Sequence, residues 1–423
     1  MIRFLATAAA LLASTATFAK TVEVRAGRLI DPVAAKVLTD QRVRIVDGKI
    51  ASVSPWRDAD GAANVDWSGK TVLPGLVDLH THVADGATES SDPAEPLKHS
   101  EAATILKAVP AARTMLRAGF TTVRDVGVYR GLTDVALRDA IEAGDIEGPR
   151  MKVAAGYITT PGGGGEIDAL APDIPLPETF RIGEVHNASE ARDRARYLLD
   201  RGADFIKLIA TGAVLALGSE PGALELSPEE MKAACDEAKL RGSYCIAHAH
   251  GAEGIKAAIR AGARTIEHAS YLDAEGIALA KKQGVWLDMD IYNGDWIEEI
   301  GTKEGWPAEY LRKNRETTDV QRRGFAAAVR AGAKLTFGTD AAVYPYGLGA
   351  RQFAYMVRYG MTPMQAVQSA TSEAARALRM EGQVGTVAPG AWGDLIAVDG
   401  DPLNDIRVLE RVSAVLKGGE VVK

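Results

Sequence analysis

A repeated junction between a helix and a strand is the feature of this sequence that most restricts its fold. Six times between residues 117 and 337, a helical stretch ends in a glycine and a short β-prone run follows within a few residues. The glycines of these junctions are Gly119, Gly202, Gly242, Gly262, Gly284 and Gly332. A glycine just past a helix end adopts the left-handed backbone conformation that closes the last turn. With two further β-prone runs at 72–79 and 151–158, the junctions predict eight parallel strands.

Parallel strands alternating with helices predict an α/β fold, and eight of them favour a (β/α)8 TIM barrel, which typically takes about 250 residues. A doubly wound open sheet is the alternative, but no strand is followed by the GxGxxG turn that such a sheet usually carries. Both chain ends differ from this middle, because they contain short alternating strands, and Asp47-Gly48 between two of them is a hairpin signal. We therefore predict a barrel over residues 74–378 and a small β-sandwich domain built from residues 20–73 and 379–423.

The first 19 residues have the pattern of a secretory signal peptide. Arg3 precedes an apolar run at 5–13, and the small residues around Ala19 form a cleavage pattern. The run is far shorter than the roughly 20 apolar residues of a membrane span. We expect cleavage after Ala19 and a periplasmic or secreted protein; a frayed cytosolic N-terminus is the alternative.

Charge and cysteine content restrict the partners and the compartment. The formal net charge is −7 and there is no long basic run, which argues against nucleic acid or an anionic membrane as partner. Cys235 falls in a predicted helix and Cys245 in a predicted strand, and neither has a metal-binding spacing. We expect the two cysteines to be a buried pair of small apolar residues, with one disulfide between adjacent elements as the alternative.

Polar residues mark the C-terminal ends of the predicted strands, where a barrel places its active site. Five of the seven histidines lie there. These candidate site residues are His80 and His82 after the first strand, Lys207 in the fourth, His248 and His250 at the fifth, His268 at the sixth and Asp340 at the eighth. In extended chain, positions i and i+2 point the same way, so His80 and His82 can face one ion. Imidazole is the commonest nitrogen ligand of zinc, and the set predicts a metal site.

Each candidate also has an ordinary structural interpretation. A strand-end histidine can be a hydrogen-bonded structural residue, Lys207 can extend its amine to the surface, and Asp340 can cap the following helix. These interpretations would have to hold at five strand ends of one chain at once, so the joint metal site is favoured. His99 and His186 lie outside the strand ends, and we assign them no role.

These residues resemble the amidohydrolase superfamily over nearly the whole mature chain. The segments that carry the resemblance are 74–82, 338–340 and 389–397, together with Lys207, His248 and His268. More narrowly, the chain resembles the Xaa-Pro dipeptidase-like and the Xaa-Arg or Xaa-Lys carboxypeptidase-like members. The segments that point to this subgroup are 121–127, 207–212, 247–251, 266–270, 289–293 and 337–341.

The resemblance implies a site for two divalent metal ions, most often Zn²⁺. It assigns His80, His82 and Asp340 to the more buried ion, His248 and His268 to the second ion, and Lys207, carboxylated by CO₂, to both. A hydroxide shared by the ions would attack an amide carbonyl, and Asp340 would serve as general base and then as general acid. His250 would contact the substrate and stabilise the developing oxyanion. Tyr292 would contact the substrate carboxylate, unless it is a core tyrosine.

Two positions depart from the subgroup's pattern. Gly164 stands where a histidine usually reaches into the site, and Ala213 stands where a glycine usually follows Thr-Gly. Both fall on loops that set specificity, so we expect a roomier or differently shaped pocket around unchanged metal chemistry.

The predicted function is that of a zinc-dependent amidohydrolase of the carboxypeptidase or dipeptidase type, a metalloprotease acting on a small-molecule or short-peptide substrate as a homo-oligomer. It would release a C-terminal amino acid from dipeptides, short peptides or N-acyl amino acids. The alternatives are hydrolysis of cyclic amides or lactones, as in imidazolonepropionase-like or hydantoinase-like enzymes, and ring deamination. Single-metal deaminases lack the bridging lysine, so Lys207 argues for two metals. A barrel that only binds a ligand would lack at least one metal ligand, and none is missing.

Overall fold

The computed structural model describes residues 19–57, 59, 61–85, 92–167, 171 and 173–423. Apart from Ala19, the predicted signal peptide lies outside the described residues, so its cleavage and the export of the protein stay predictions. Among the described helices, none combines the length and the apolar character needed to cross a membrane.

The N-terminal part of the described chain forms four strands. They are β1 (Thr21–Asp31), β2 (Lys36–Val46), β3 (Lys49–Pro55) and β4 (Val65–Pro74). β1 pairs antiparallel with β2 and parallel with β4. The predicted hairpin joins β2 to β3, and its turn residues Asp47 and Gly48 have φ values of 47° and 78°. Both values lie in the region that this tight turn requires.

The middle of the chain contributes parallel strands in two sheets. They are β5 (Leu76–Thr81), β6 (Phe120–Asp125), β7 (Arg150–Val153), β8 (Tyr157–Ile158), β9 (Ile206–Ile209), β10 (Cys245–Ala249), β11 (Thr265–His268), β12 (Trp286–Asp288) and β13 (Lys334–Thr336). One sheet has the order β5-β6-β7 and the other the order β13-β12-β11-β10-β9-β8.

The two parallel sheets adjoin each other at both ends. β7 and β8 follow each other in the chain, and they pair with β6 and β9 respectively. On the opposite side, the Leu79 N–H donates to the Phe337 carbonyl at 2.9 Å, and Thr81 forms a parallel bridge with Ala341. The carboxyl ends of β5 and β13 therefore lie side by side.

Helices connect these strands. They are α1 (Glu101–Arg117), α2 (Thr133–Ala143), α3 (Ala188–Asp200), α4 (Pro228–Leu240), α5 (Ala252–Ala261), α6 (Ala274–Gln283), α7 (Asn293–Glu304), α8 (Ala308–Arg330), α9 (Gln352–Arg358), α10 (Pro363–Ser369) and α11 (Ser372–Ala377). The six glycines of the predicted junctions have φ values between 65° and 104°. The prediction that they close helix ends ahead of strands is confirmed.

The C-terminal part returns to the first sheet with β14 (Leu395–Val398), β15 (Val412–Lys417) and β16 (Glu420–Val421). The order β16-β15-β14-β4-β1-β2-β3 makes one mixed sheet of seven strands from both chain ends. The Ile50 N–H of β3 donates to the Ala391 carbonyl at 2.8 Å, so the sheet rolls until β3 meets the segment before β14. The prediction that both chain ends build one β-rich unit is confirmed, and this unit has an apolar core of its own.

Two predicted strands are broken where the chain changes sheets. The run at 72–79 is interrupted at Gly75, where only glycine fits, because a Cβ would lie 2.0 Å from the Thr121 hydroxyl oxygen. The run at 151–158 is interrupted at Ala155, whose φ of 65° leaves extended structure. The Ala155 N–H donates to the buried Asp134 carboxylate at 2.7 Å, and this bond holds the bend. Apolar residues lie on both sides of each break, so the sequence pattern did not reveal the breaks.

The cysteines are bonded to each other, so the expectation of a reduced pair was wrong and its alternative describes the structure. Cys235 of α4 and Cys245 of β10 form a disulfide, and their Cα atoms are 5.1 Å apart. That separation is ordinary for a disulfide. The chain reverses at Gly242, between helix and strand, and this reversal brings the two residues together.

Candidate metal centre

All predicted metal ligands line one cavity at the carboxyl ends of the parallel strands. The lining includes His80, His82, Lys207, His248, His268 and Asp340, and also His250. Parallel strands end at the same edge of a sheet, and residues far apart in sequence therefore meet there. The cavity thus brings together the five histidines, the lysine and the aspartate that the sequence singled out, and its described lining also contains Asp85, Asp92, Glu166 and Asp290.

The first group of ligand atoms joins β5 to the turn after β13. The Nε2 atoms of His80 and His82 lie 3.3 and 3.2 Å from Asp340 Oδ1. The other ring nitrogen of His82, Nδ1, lies 2.9 Å from the Gly127 carbonyl oxygen. This carbonyl favours a proton on Nδ1, which leaves Nε2 as the ligand atom. The three side chains can hold one metal ion.

The backbone around Asp340 is fixed by a second carboxylate, that of Asp78 on β5. Asp78 accepts hydrogen bonds from the Thr339 hydroxyl at 2.6 Å and from the Thr339 N–H at 3.1 Å. Burial raises the pKa of Asp78 to about 7, against the effect of these bonds. Asp340 itself has a φ of 57°, and its N–H donates to the His80 carbonyl at 2.8 Å. A left-handed conformation at a residue other than glycine costs energy and is concentrated at functional sites.

The second group of ligand atoms comes from β10 and β11. The ligand atoms of His248, His250 and His268 lie within 4.8 Å of one another. Burial lowers the pKa values of His248 and His250 well below the usual range, and nearby cationic groups add to this effect. Both imidazoles are therefore neutral at ordinary pH, the form that binds a metal ion. His268, like Asp340, has a positive φ, of 65°.

A polar network behind His268 connects the two groups. Asp290 Oδ1 lies 3.0 Å from His268 Nδ1, and the Asn293 amide donates to Asp290 and, at 3.1 Å, to Asp340 Oδ2. A carboxylate behind a histidine fixes the ring and makes it a better ligand. Asp290 can also act as a ligand itself, because it forms a third group of candidate ligand atoms with His268 and Asp340. Sequence reasoning missed this role of Asp290, although residues 289–293 carried part of the resemblance.

Lys207 is buried and lines the same cavity as the two groups. It lies on β9 opposite Ile246 of β10 and Tyr157 of β8, and its side chain is 1% exposed. Burial lowers its pKa to about 8, although the neighbouring Glu267 carboxylate raises it. The amine does not extend to the surface, so the ordinary structural interpretation of this residue was wrong.

A buried ion-pair network lies below the centre, and sequence reasoning missed it. Arg124 of β6 donates to both oxygens of Glu267 at 3.0 Å and to Asp288 at 3.3 Å. Glu267 Oε2 lies 3.3 Å from His80 Nδ1 and so supports this ring from behind. Burial raises the pKa of Glu267, but Arg124, His80 and Lys207 together outweigh this effect and keep the pKa far below its usual value. The resemblance covered Arg124 and Glu267 within longer segments without assigning a role to either.

The two predicted substrate contacts have different surroundings. His250 lines the cavity, and its Nδ1 lies 2.7 Å from the Ser270 hydroxyl. Tyr292 is absent from the described residues that line the cavity; its ring packs between Tyr344 and Tyr355, and its hydroxyl accepts from Arg351 at 3.0 Å. The geometry matches the alternative that Tyr292 is a core tyrosine.

The donor set fits divalent metal ions. Two groups of three side chains offer imidazole nitrogens and a carboxylate oxygen, the ligands that zinc prefers. Their positions on strand ends are supported by Glu267 and Asp290, as is usual for metal-binding histidines.

Comparisons with known proteins agree with this geometry. The chain is similar to the crystal structure of an Xaa-Pro dipeptidase with methionine bound in its active site, with a TM-score of 0.87 and 34% identity, over 95% of this chain and 99% of that chain. It is also similar to a prolidase complexed with N-methylphosphonate-L-proline, with a TM-score of 0.87 and 29% identity, over 96% of this chain and all of that one (100%). Ochratoxinase of Aspergillus niger is 30% identical over 369 residues, which are 83% of this chain and 75% of the relative. The sequence profile of the amidohydrolase family matches residues 71–422, and the chain therefore belongs to the amidohydrolase family.

Proposed function

We propose that this chain is a binuclear metal-dependent amide hydrolase that releases a C-terminal amino acid from dipeptides, short peptides or N-acyl amino acids. The observation that carries the proposal is the meeting of two ligand groups, with Lys207 buried in the same cavity. A dipeptidase and a prolidase among the similar structures support the choice of a peptide-like amide.

Zn²⁺ is the ion we propose for both positions. His80, His82 and Asp340 would hold one ion, and His248 and His268 the other. An ammonium group cannot bind a cation, but the neutral amine of Lys207 can add to CO₂ and release a proton, which gives an anionic carbamate. Its two oxygens would then be available as metal ligands.

The chemistry of an amide hydrolase divides between the ions and the protein. Divalent ions in this site would lower the pKa of a water molecule and polarise the amide carbonyl. Asp340 would take the proton of the attacking water and return it to the leaving amine nitrogen. Burial raises the pKa of Asp340, but His80 and His82 together hold it well below its usual value, so the group is an ionised base.

His250 is suited to the developing negative charge on the substrate oxygen. When the Ser270 hydroxyl donates to Nδ1, the proton of the imidazole is on Nε2 and can be donated into the cavity. Such a donor, held in place before the reaction, stabilises an oxyanion.

For the fold, we propose that the two parallel sheets close into a (β/α)8 barrel over residues 74–378. The contacts between β5 and the chain after β13, and the shared segment of β7 and β8, support this proposal. We also propose export, since the disulfide of Cys235 and Cys245 suits an oxidising compartment.

A substrate panel tests the proposed function. Zinc-loaded protein is assayed for amino-acid release from dipeptides and N-acetyl amino acids that differ in the C-terminal residue, with cyclic amides and lactones beside them. We expect turnover of linear substrates that carry a free C-terminal carboxylate. Turnover of the cyclic compounds alone would contradict the proposal.

A further inference from the structure

An apolar loop lines the same cavity as the candidate metal centre. Residues 213–217 follow β9 and all line the cavity. Val214, Leu215 and Leu217 are only half-buried, and they belong to none of the hydrophobic cores that the described residues form. Apolar side chains that line a cavity without joining a core are typical of a ligand subsite.

Two helices continue this apolar wall. Ile297 of α7 and Tyr310 of α8 line the same cavity. Among the described lining residues, Lys207 is the only lysine or arginine. The undescribed segments 86–91 and 168–170 contain neither residue type in their sequence. The wall therefore offers apolar surface without a cation for an acidic group.

The loop is held in one position by hydrogen bonds on both sides. The Ala213 N–H donates to the Ser219 hydroxyl at 2.9 Å, and this hydroxyl donates to Glu225 at 2.7 Å. Glu225 also accepts from the Gly164 N–H at 2.8 Å, so it connects the loop after β8 with the loop after β9. From α8, the buried Lys313 amine donates to the carbonyls of Ala216 and Ser219. Such a preorganised wall loses little entropy when it binds a ligand.

Gly164 and Ala213 are a complementary pair. A Cβ at position 164 would lie 2.8 Å from the Ala213 Cβ and 3.1 Å from its backbone nitrogen. The two departures from the subgroup's pattern are therefore one structural feature, because Ala213 occupies the space that a side chain at position 164 would need. Without that side chain, the cavity stays open in front of the apolar wall.

We propose that Val214, Leu215, Leu217, Ile297 and Tyr310 form a subsite for a bulky apolar acyl group, aromatic or branched aliphatic, and that the contact of Gly164 with Ala213 sets its size. This inference rests on the proposed hydrolysis of N-acyl amino acids. Because the described wall contains no lysine or arginine that could bind the carboxylate of the leaving amino acid, the wall is suited to the uncharged acyl side of the substrate.

Hydrolysis of a graded series tests the subsite. N-acetyl, N-benzoyl and N-(2-naphthoyl) derivatives of one amino acid are compared by kcat and KM. We expect kcat/KM to rise at least tenfold from acetyl to naphthoyl, mainly through a lower KM. Leu217→Asn should reduce this ratio by at least fivefold, and an unchanged ratio would overturn the inference.

The paired positions supply a second test. Gly164→Ala should displace the loop and raise KM for the naphthoyl substrate at least fivefold. Ala213→Gly in the same chain removes the clashing Cβ and should restore the KM. If the double variant behaves like Gly164→Ala alone, the pair does not set the size of the subsite. A naphthoyl KM unchanged in Gly164→Ala would overturn this part as well.

Binding without turnover separates this inference from the proposed function. N-(2-naphthylmethyl) and N-ethyl amino acids lack the scissile carbonyl, and their binding to zinc-loaded protein is measured by calorimetry. We expect the naphthylmethyl compound to bind at least tenfold tighter, and Leu217→Asn to reduce the difference. Preferential binding without hydrolysis of any acyl amino acid would contradict the proposed function alone. Hydrolysis with equal binding of both compounds would overturn the subsite alone.

Discussion

Removal of the Arg124 side chain should destabilise the protein more than removal of any charged side chain at the surface. Arg124 is 0% exposed, and its guanidinium also donates to the Leu79 carbonyl at 2.6 Å and the Thr265 hydroxyl at 3.0 Å. In Arg124→Met, the Glu267 carboxylate stays buried without the guanidinium that neutralises it. Breaking a buried ion pair from one side costs about 3–5 kcal/mol.

The same number predicts a shift in the unfolding temperature. Unfolding entropy is about 2.1 cal/mol/K per residue, or about 0.85 kcal/mol/K for roughly 400 residues. A loss of about 4 kcal/mol therefore lowers the midpoint by about 5 °C. Because Glu267 also supports His80, we expect zinc affinity to fall about 10–100-fold as well.

Thermal unfolding followed by circular dichroism, together with zinc titration, measures both effects. Arg315→Met is the matched control, since the side chains of Arg315 and Glu298 form a surface pair and are 59% and 42% exposed. This control should leave both the midpoint and the zinc affinity unchanged. The reasoning is refuted if Arg124→Met unfolds at the temperature of the parent protein.

Two further predictions concern the fold. The disulfide closes a loop with a sequence separation of 10, which corresponds to about 3 kcal/mol of stabilisation at 25 °C, so Cys235→Ala with Cys245→Ala should lower the urea midpoint; an unchanged midpoint would contradict this. Burial raises the pKa of the Asp134 carboxyl group from its usual value of 3.8 to about 7. The folded state therefore binds the carboxyl proton more tightly than the unfolded state. The contribution of this protonated group to the free energy of unfolding should be complete below pH 3.8 and lost as the pH rises through about 7. The full loss corresponds to up to about 4 kcal/mol. Urea unfolding at pH 5 and pH 8 should show this loss in the parent protein and a smaller one in Asp134→Asn; equal pH dependence of the two would exclude Asp134 as the cause.

The sequence predicted those features that depend on short spacings. The junction glycines such as Gly119 mark helix ends because few other residues adopt a positive φ, and the structure confirms all six. His80 and His82 were found because alternate residues of a strand face the same side. In the same way, the turn at Asp47-Gly48 was readable because its residue types are nearly specific to it.

Features that depend on distant contacts could not be predicted. The partner of Arg124 is more than 140 residues away in the sequence, and only the fold brings Glu267 to it. At the two breaks, Gly75 packs against the side chain of Thr121 and Ala155 donates to that of Asp134, and the local sequence pattern does not show either contact. A tertiary contact also decides the role of Tyr292, whose hydroxyl pairs with an arginine outside the segment of the resemblance.

The number of metal ions per chain tests the central claim most directly. The zinc content per chain of protein produced with zinc and bicarbonate is measured by elemental mass spectrometry. The Lys207→Ala variant is prepared and measured in the same way. We predict two zinc ions per chain in the parent protein, and loss of at least one ion and of most amide hydrolysis in Lys207→Ala. A single ion per chain in the parent protein, with full activity in Lys207→Ala, would contradict the binuclear site.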